Sequence, residues 1–529
     1  MKRFFLPAFT AFGIATLCLL AILGPLLSPS HTVIFHTSAS AVSLFSSVLF
    51  DLFGLWALIT ALLLLAEKPG RRQFMIWSAI VLVLPWIVLK NVSMLNGFLV
   101  PHWLDLTICA FSLAALVALS ICWRPSFHSA FARVQRFLTV VFGFIALNGI
   151  VIVGQLLWYG WQVRALNAPP ALHQRSLNAV HNRAHSRVIW ILFDELSYQQ
   201  VYERRFPGLA LPAFDSLAHE STVFTHVAPE GIYTEEVIPS LLTGWPVDNI
   251  RSSSNGQRLS LHNPVTGKWQ LFDPHQNIFQ DALNAGYSTA VAGWYNPYCR
   301  ILPQVLDRCF WTLQLPYPGG IVAGQSVTTN LWNQIAHRID SISTLLPSRY
   351  KVSSGLALET KLHVADYVDL RNAADSMLND PSADFVFLHM PIPHPHGIYD
   401  RHREALTTES SSYIDNLALA DKYLAHVRQL LEQRGEWDTS TIVIMGDHSW
   451  RTSFIWSKME GWTPEDTAAS HGAQFDDRPA YLVKLPQQQQ GSRMEAPFKA
   501  IHTRALLDAL LAGQLRTTED LESWAKKQK

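Results

Sequence analysis

Charge is scarce in this chain: of its 529 residues only 16% are Asp, Glu, Lys or Arg, where globular proteins carry about a quarter. The charges present cancel, 41 basic against 41 acidic. A basic surplus of the kind that neutralises a phosphate backbone is missing, so no nucleic-acid partner is expected. Internal repeats are missing too, and the one low-complexity piece, Gln487–Gln490, reads as a surface turn. The shortage of charge is concentrated in the first 160 or so residues, where long apolar runs take its place.

Five such runs occur, about Phe4–Leu27, Val42–Ala66, Phe74–Leu89, Leu104–Trp123 and Phe137–Trp158. A membrane span needs about 20 apolar residues; four runs reach that length and the third is a little short. A cleaved signal peptide would account for the first run alone. Five transmembrane helices over 1–161 are therefore expected. Lys2, Arg3, Lys68, Arg71, Arg72, Arg124, Arg133 and Arg136 flank them on one side, against Lys90 alone on the other. Basic loops stay in the cytoplasm, so the N-terminus faces inward and everything after Trp161 faces outward. The chain is expected to be a multi-pass protein of a bacterial inner (cell) membrane with a periplasmic part. Asp51 and Asn148 lie well inside spans and need a partner or a watery pocket; an interhelical hydrogen bond is the favoured expectation for both.

Residues 162–187 are polar, contain Pro-Pro and read as a linker. From 188 to 529, apolar runs of strand length (VIWILFDE, STAVAGWY, DFVFLHM, STIVIMGDH) alternate with helical stretches such as SSYIDNLALADKYLAHVRQLLEQRG. That alternation predicts an α/β domain on a mostly parallel sheet. The tail from Ile501 reads as one or two helices. Cys18, Cys109 and Cys122 fall in the apolar runs, leaving Cys299 and Cys309 as the only cysteines of the outer part. An oxidising compartment favours joining them; two free buried thiols are the alternative.

Active sites of open α/β sheets gather at the carboxyl ends of strands. Three strands here end in candidate metal ligands: Asp194-Glu195 after VIWILF, His389 with PIPHPHG (His394, His396) after DFVFL, and Asp447-His448 after TIVIMG. Singly, an acid after a strand is often a turn or helix cap. Together, carboxylates and imidazoles form a set that suits one divalent ion, zinc or manganese. Thr234, in GIYTEEVIPSLLTG, precedes a short apolar helix. Pro239 fits that helix's first turn, which puts Thr234 near an N-terminus that favours phosphate. On spacing alone Thr234 is either a metal-activated nucleophile or a helix cap whose dipole Glu235 and Glu236 complement.

The outer part resembles the sulfatase-like branch of the alkaline phosphatase superfamily over roughly 188–485. The matching pieces come in the family's order: the strand ending in FDE, the segment ending in SLLTG, PIPHPHG, GDHSWR and the strand RPAYLVKLP. The sulfatase nucleophile lies ten residues before the Gly of LLTG, the position of Thr234. Residues 234–238 read TEEVI, so the sulfatase Cys/Ser-x-Pro-x-Arg is absent. Formylglycine is not made from Thr, which speaks against a sulfatase mechanism. A Thr here, behind five spans, resembles the lipoteichoic acid synthases and the lipid A phosphoethanolamine transferases.

The resemblance implies a metal held by Glu195 (or Asp194), Thr234, Asp447 and His448. His394 would be the leaving-group histidine, with His389, His396, His471 and Arg451 as substrate-binding candidates, a salt bridge being the commoner fate of such an arginine. The implied activity moves phosphoethanolamine or phosphoglycerol from a membrane phospholipid to a periplasmic glycan or lipid. A sulfatase-like hydrolase, phosphodiesterase or sulfuric ester hydrolase, uses the same residues and is the alternative. A non-catalytic membrane binding module is a third reading, marked by loss of these residues, all of which are present.

Overall fold

The computed structural model describes residues 2–37, 41–96, 100–122, 124, 127–167, 171–173, 185–317, 319–343, 354–409 and 411–528. Much of the expected linker 162–187 lies outside these. The helices that matter here are α1 (Lys2–Cys18), α2 (Leu20–Leu26), α3 (Ala41–Leu65), α4 (Arg71–Asn96), α5 (His102–Ile121), α6 (Phe127–Gln162), α7 (Thr234–Thr243), α8 (Val327–Ser343), α9 (Ser354–Leu378) and α10 (Tyr413–Gln433). Two compact units emerge. One comprises Met1–Ile34, Ala39–Asn167 and Pro316–Gly355; the other comprises Phe35–Ser38, Ala168–Leu315 and Leu356–Lys529.

In the first unit, α3, α4, α5 and α6 contain stretches long and apolar enough to cross a membrane, and α1 with α2 makes a fifth if the pair counts as one bent span. The bend is 70°, and a side chain of another helix accounts for it. Asn91 of α4 accepts from the Ala21 N–H at 2.7 Å and donates to the Leu17 carbonyl at 3.0 Å. Its amide thus occupies backbone groups that a continuous helix would use itself. Helix α1 comes close to α6 at Gly13, where a Cβ would stand 2.0 Å from the Phe142 carbonyl oxygen; small residues permit such approach between spans. Phe111, Leu113, Phe137 and Phe144 point outward, exposed, as a lipid-facing surface requires. Asp51 of α3 is buried and meets the amide nitrogen of Gln334 on α8 at 3.1 Å, the interhelical bond expected of it. Asn148 differs: it is exposed and donates to the Phe144 carbonyl of its own helix at 3.3 Å, since a helical turn is always within reach of an Asn amide.

The second unit is an α/β fold around an eight-stranded sheet of β1 (Val188–Phe193), β2 (Thr222–Phe224), β3 (Thr289–Trp294), β4 (Arg308–Thr312), β5 (Phe385–Met390), β6 (Thr441–Gly446), β7 (Tyr481–Lys484) and β8 (Ser492–Met494). Their order is β8-β2-β7-β6-β1-β5-β3-β4. Strand β7 runs against both neighbours and every other pair is parallel. Parallel strands covered on both faces read as unbroken apolar runs, and β1 is buried at all six positions. Ile189, Ile191 and Phe193 pack into one layer with Tyr367 and Leu370 of α9 and Leu417 and Leu424 of α10. Trp190 and Leu192 pack into the other with Val237 and Leu241 of α7. The four strands and the α10 helix read from the sequence are all present. The tail forms two helices, Thr503–Leu511 and Thr518–Ala525. Cys299 and Cys309 are joined, their Cα atoms 5.5 Å apart.

Register decides where the chemistry sits. Phe193 lies opposite Gly446 on β6 and Met390 on β5. The three central strands therefore end level, and Asp194, Pro391 and Asp447 leave the sheet along one edge.

Candidate active site

Helix α7 begins at Thr234, and its closing residue, Gly244, takes a left-handed φ of 70° that suits glycine. Pro239 lies in the second turn rather than in the first, because the helix starts earlier than the apolar run suggests. Tyr233 is the cap and makes no side-chain cap bond. The Thr234 hydroxyl turns instead to the strand ends: Oγ1 is 2.8 Å from Asp447 Oδ2, 3.3 Å from Asp194 Oδ2 and 3.4 Å from His448 Nε2. All four side chains are buried.

Each partner is oriented by the backbone around it. Asp447 Oδ1 accepts the N–H groups of Glu195 at 3.1 Å and His448 at 2.9 Å, leaving Oδ2 for Thr234. His448 Nδ1 faces the Ser449 carbonyl at 3.1 Å. A carbonyl only accepts, so Nδ1 carries the proton and Nε2 keeps its lone pair toward the cluster. His389 Nδ1 bonds the Tyr298 hydroxyl at 2.8 Å, and its Nε2 stands 3.5 Å from Asp194 Oδ2. Tyr298 adjoins the Cys299 end of the disulfide. Its ring lies over Gly293, where a Cβ would approach within 2.3 Å.

Glu195, next to Asp194, points elsewhere. Its φ of 64° lies in the left-handed region that few non-glycine residues adopt, and this turns the two neighbouring carboxylates apart. Glu195 accepts from Arg451 Nε at 2.5 Å, from the Arg451 N–H at 3.2 Å and from Trp456 Nε1 at 2.8 Å. Arg451 also donates to the Ile232 carbonyl at 3.1 Å and reaches His394 Nε2 at 3.2 Å. His394 sits edge-on between Trp294 and Trp456, each ring centroid 5.0 Å away.

Burial raises the Asp194 pKa well above the usual carboxylate value, and the charge of Asp447 adds to this. Burial acts on Asp447 the same way, but His448, His389 and the N–H of Glu195 outweigh it and hold Asp447 low. Burial lowers His389 to about 4, lowers His448, and with the nearby Arg451 drives His394 far down. With His389 held that low, its 3.5 Å contact with Asp194 joins a neutral imidazole to an acid and is not an ion pair.

That arrangement fits a bound cation. Ligand atoms of Asp194, His389 and Asp447 lie within 4.8 Å of one another, as do those of Asp194, Glu195 and His394. Asp194 Oδ1 and His389 Nε2 are buried without a hydrogen-bond partner, a costly state unless something else meets them. Two carboxylates, neutral imidazoles and a hydroxyl are ligands that zinc and manganese accept. Glu195, already held by Arg451 and Trp456, is the less available of the two acids.

The other expected residues are spread more widely. His396 is buried against Trp456 at 5.5 Å, and its carbonyl accepts from Asn416 at 3.3 Å. His471 is exposed, after the helix Pro464–Ala469, with its N–H bonded to the Ala468 carbonyl at 3.2 Å. Tyr298, Trp456 and Asn296, whose amide reaches the Thr234 carbonyl at 3.4 Å, did not stand out in the sequence. Only the position of Tyr298 beside a cysteine could have drawn attention to it.

Residues 186–486 match the sulfatase family. No curated protein matches the chain. Three of the solved structures it is similar to are the following. A glycosaminoglycan-metabolism protein of Bacteroides thetaiotaomicron has 14% identity, with 65% of this chain and 83% of that one covered and a TM-score of 0.46. The phosphonate monoester hydrolase of Agrobacterium radiobacter has 14% identity, with 65% and 78% covered and a TM-score of 0.39. The lipoteichoic acid synthase LtaP from Listeria monocytogenes has 14% identity, with 67% and 78% covered and a TM-score of 0.36.

Proposed function

The chain belongs to the sulfatase family, within the alkaline phosphatase superfamily of hydrolases and transferases, and from that premise we propose that it moves a phospho-head group from a phospholipid to a periplasmic glycan or lipid. The observation that carries this reading is the Thr234 hydroxyl at a helix N-terminus, 2.8 Å from Asp447 and 3.3 Å from Asp194. A Thr nucleophile suits phosphoryl transfer and is not a formylglycine precursor. The apolar helices of the first unit supply a reason for a lipid donor. The reading also takes 1–161 as the membrane domain, inserted with the N-terminus inside, and 188–529 as the outer part.

Asp194, Thr234, Asp447 and His448 would hold one divalent ion, with His389 beside them. When bound, it lowers the pKa of the hydroxyl and draws charge from the phosphate oxygens. Thr234 Oγ1 forms a bond to phosphorus as the bond from phosphorus to the diacylglycerol oxygen breaks. The proton lost by Thr234 ends on that oxygen, leaving a phosphothreonine that carries the head group. The acceptor hydroxyl then attacks the same phosphorus, the Thr234–phosphorus bond breaks, and the acceptor's proton, taken up by His394, is returned to the Thr234 oxygen. His394, neutral and ringed by Trp294 and Trp456, takes the acceptor's proton. Burial raises the Glu195 pKa and Arg451 opposes that rise, while the same guanidinium holds a positive edge toward His394.

Mass spectrometry of the purified protein incubated with phosphatidylethanolamine or phosphatidylglycerol tests the reading. An adduct on Thr234 with the mass of the head group is expected, released onto an acceptor when one is supplied. Absence of any adduct alongside release of head group into water would overturn transfer in favour of hydrolysis.

A further inference from the structure

The segment Pro316–Gly355 lies between two parts of the α/β unit in the chain yet packs in the first unit. Its helix α8 follows α3 for about one turn. The Gly324 N–H donates to Ser43 at 3.0 Å, Asn330 to Ser47 at 3.1 Å, and Gln334 meets Asp51 at 3.1 Å. Gly324 precedes α8; from Asn330 to Gln334 and from Ser47 to Asp51 the partners on the two helices advance together by four residues, so α8 runs along α3. Trp332, Ile335 and Ile339 of α8 are exposed. Spaced three and four apart, they form one apolar stripe, beside helices that themselves expose apolar side chains.

A cavity of about 180 Å³ opens in this unit between α8, the break from α1 to α2, and the C-terminal half of α4. Leu19, Ile22 and Ile87 make an apolar wall; Lys90, Gln334 and His337 make a polar end. Lys90 donates to Asp105 at 2.5 Å, and a third of its side chain stays exposed. A lysine in a membrane unit is costly unless it is paired or serves a ligand. Asp105 uses one of its three N–H groups, and the remainder can meet an anion.

We propose that this cavity binds an outer-leaflet glycerophospholipid, its phosphate at Lys90 and its glycerol and acyl base along Leu19, Ile22 and Ile87. The outer-leaflet assignment rests on the orientation proposed above. The site would hold the donor lipid in the unit that contains the spans, using an element supplied by the chain of the catalytic unit.

The purified full-length protein is titrated with phosphatidylethanolamine, phosphatidylglycerol, diacylglycerol and inorganic phosphate, and bound ligand is counted by native mass spectrometry. Both phospholipids are expected to bind, with diacylglycerol and inorganic phosphate each at least about tenfold weaker. The double variant Lys90→Gln/Asp105→Asn removes the ammonium without stranding a carboxylate, and should weaken phospholipid binding about tenfold. His337→Ala, which keeps the ion pair, should weaken it about threefold or more. Unchanged binding in both variants, or diacylglycerol or phosphate binding as tightly as lipid, overturns the proposal. Turnover of soluble bis(p-nitrophenyl) phosphate separates the two readings. If the wild type lacks it, the catalytic reading fails while the binding result stands.

Discussion

Each unit buries a group of polar side chains among apolar ones, and the two groups are satisfied differently. Where α8 follows α3, Asn330 bonds Ser47 and the Val322 backbone, and Gln334 meets Asp51. At the sheet edge, three carboxylates gather around one arginine and neutral imidazoles, and Asp194 Oδ1, His389 Nε2 and His394 Nδ1 have no hydrogen-bond partner. A closed polar seam fixes how helices pack. An open one costs stability and keeps its capacity for something not yet bound. Burial alone therefore does not separate structural from chemical polar groups; the balance of charge and lone pairs does.

The comparison breaks most sharply at Thr234. Thr234→Ala should lower turnover by about 10⁴-fold or more while the melting temperature shifts by only a few degrees, read by kinetics and calorimetry. A folded, active variant would put Thr234 on the structural side. Next come the neighbouring acids. Asp194→Asn should strip most of the bound metal, measured by elemental analysis. Glu195→Gln should keep the metal but destabilise by about 3–5 kcal/mol, because it strands the buried Arg451. The reverse pattern would make Glu195 the ligand. Tyr298→Phe removes only the hydroxyl that orients His389 and should weaken metal affinity about 10- to 100-fold, read by competition with a chelator. The smallest effect belongs to the closed seam. Asn330→Ala should cost about 0.6–1.7 kcal/mol in thermal unfolding, with metal content unchanged; loss of metal there would erase the contrast.

Much of this was legible before any coordinates. Strand-length apolar runs mark β1, β3, β5 and β6, because strands buried on both faces have few polar positions to confuse the pattern. The acids and histidines that end them stand out for the same reason. Tyr298 and Trp456 did not, since an aromatic residue holding a ligand by one polar atom looks like any core aromatic. The bend at Leu19 was hidden because its cause, Asn91, lies on another span.

The sequence by itself determined the classes of the two parts: apolar runs of span length, then alternating strands and helices with ligand-type residues at strand ends. Hydrophobic period and run length are local properties, so a linear reading recovers them. Only the tertiary structure decided which of Asp194 and Glu195 faces Thr234, that Thr234 turns to Asp447 rather than capping α7, and that α8 packs in the first unit. Those outcomes depend on strand register, on one left-handed backbone angle at Glu195 and on hydrogen bonds between segments far apart in the chain, as from α8 to α3. None of these leaves a periodic trace in the order of residues.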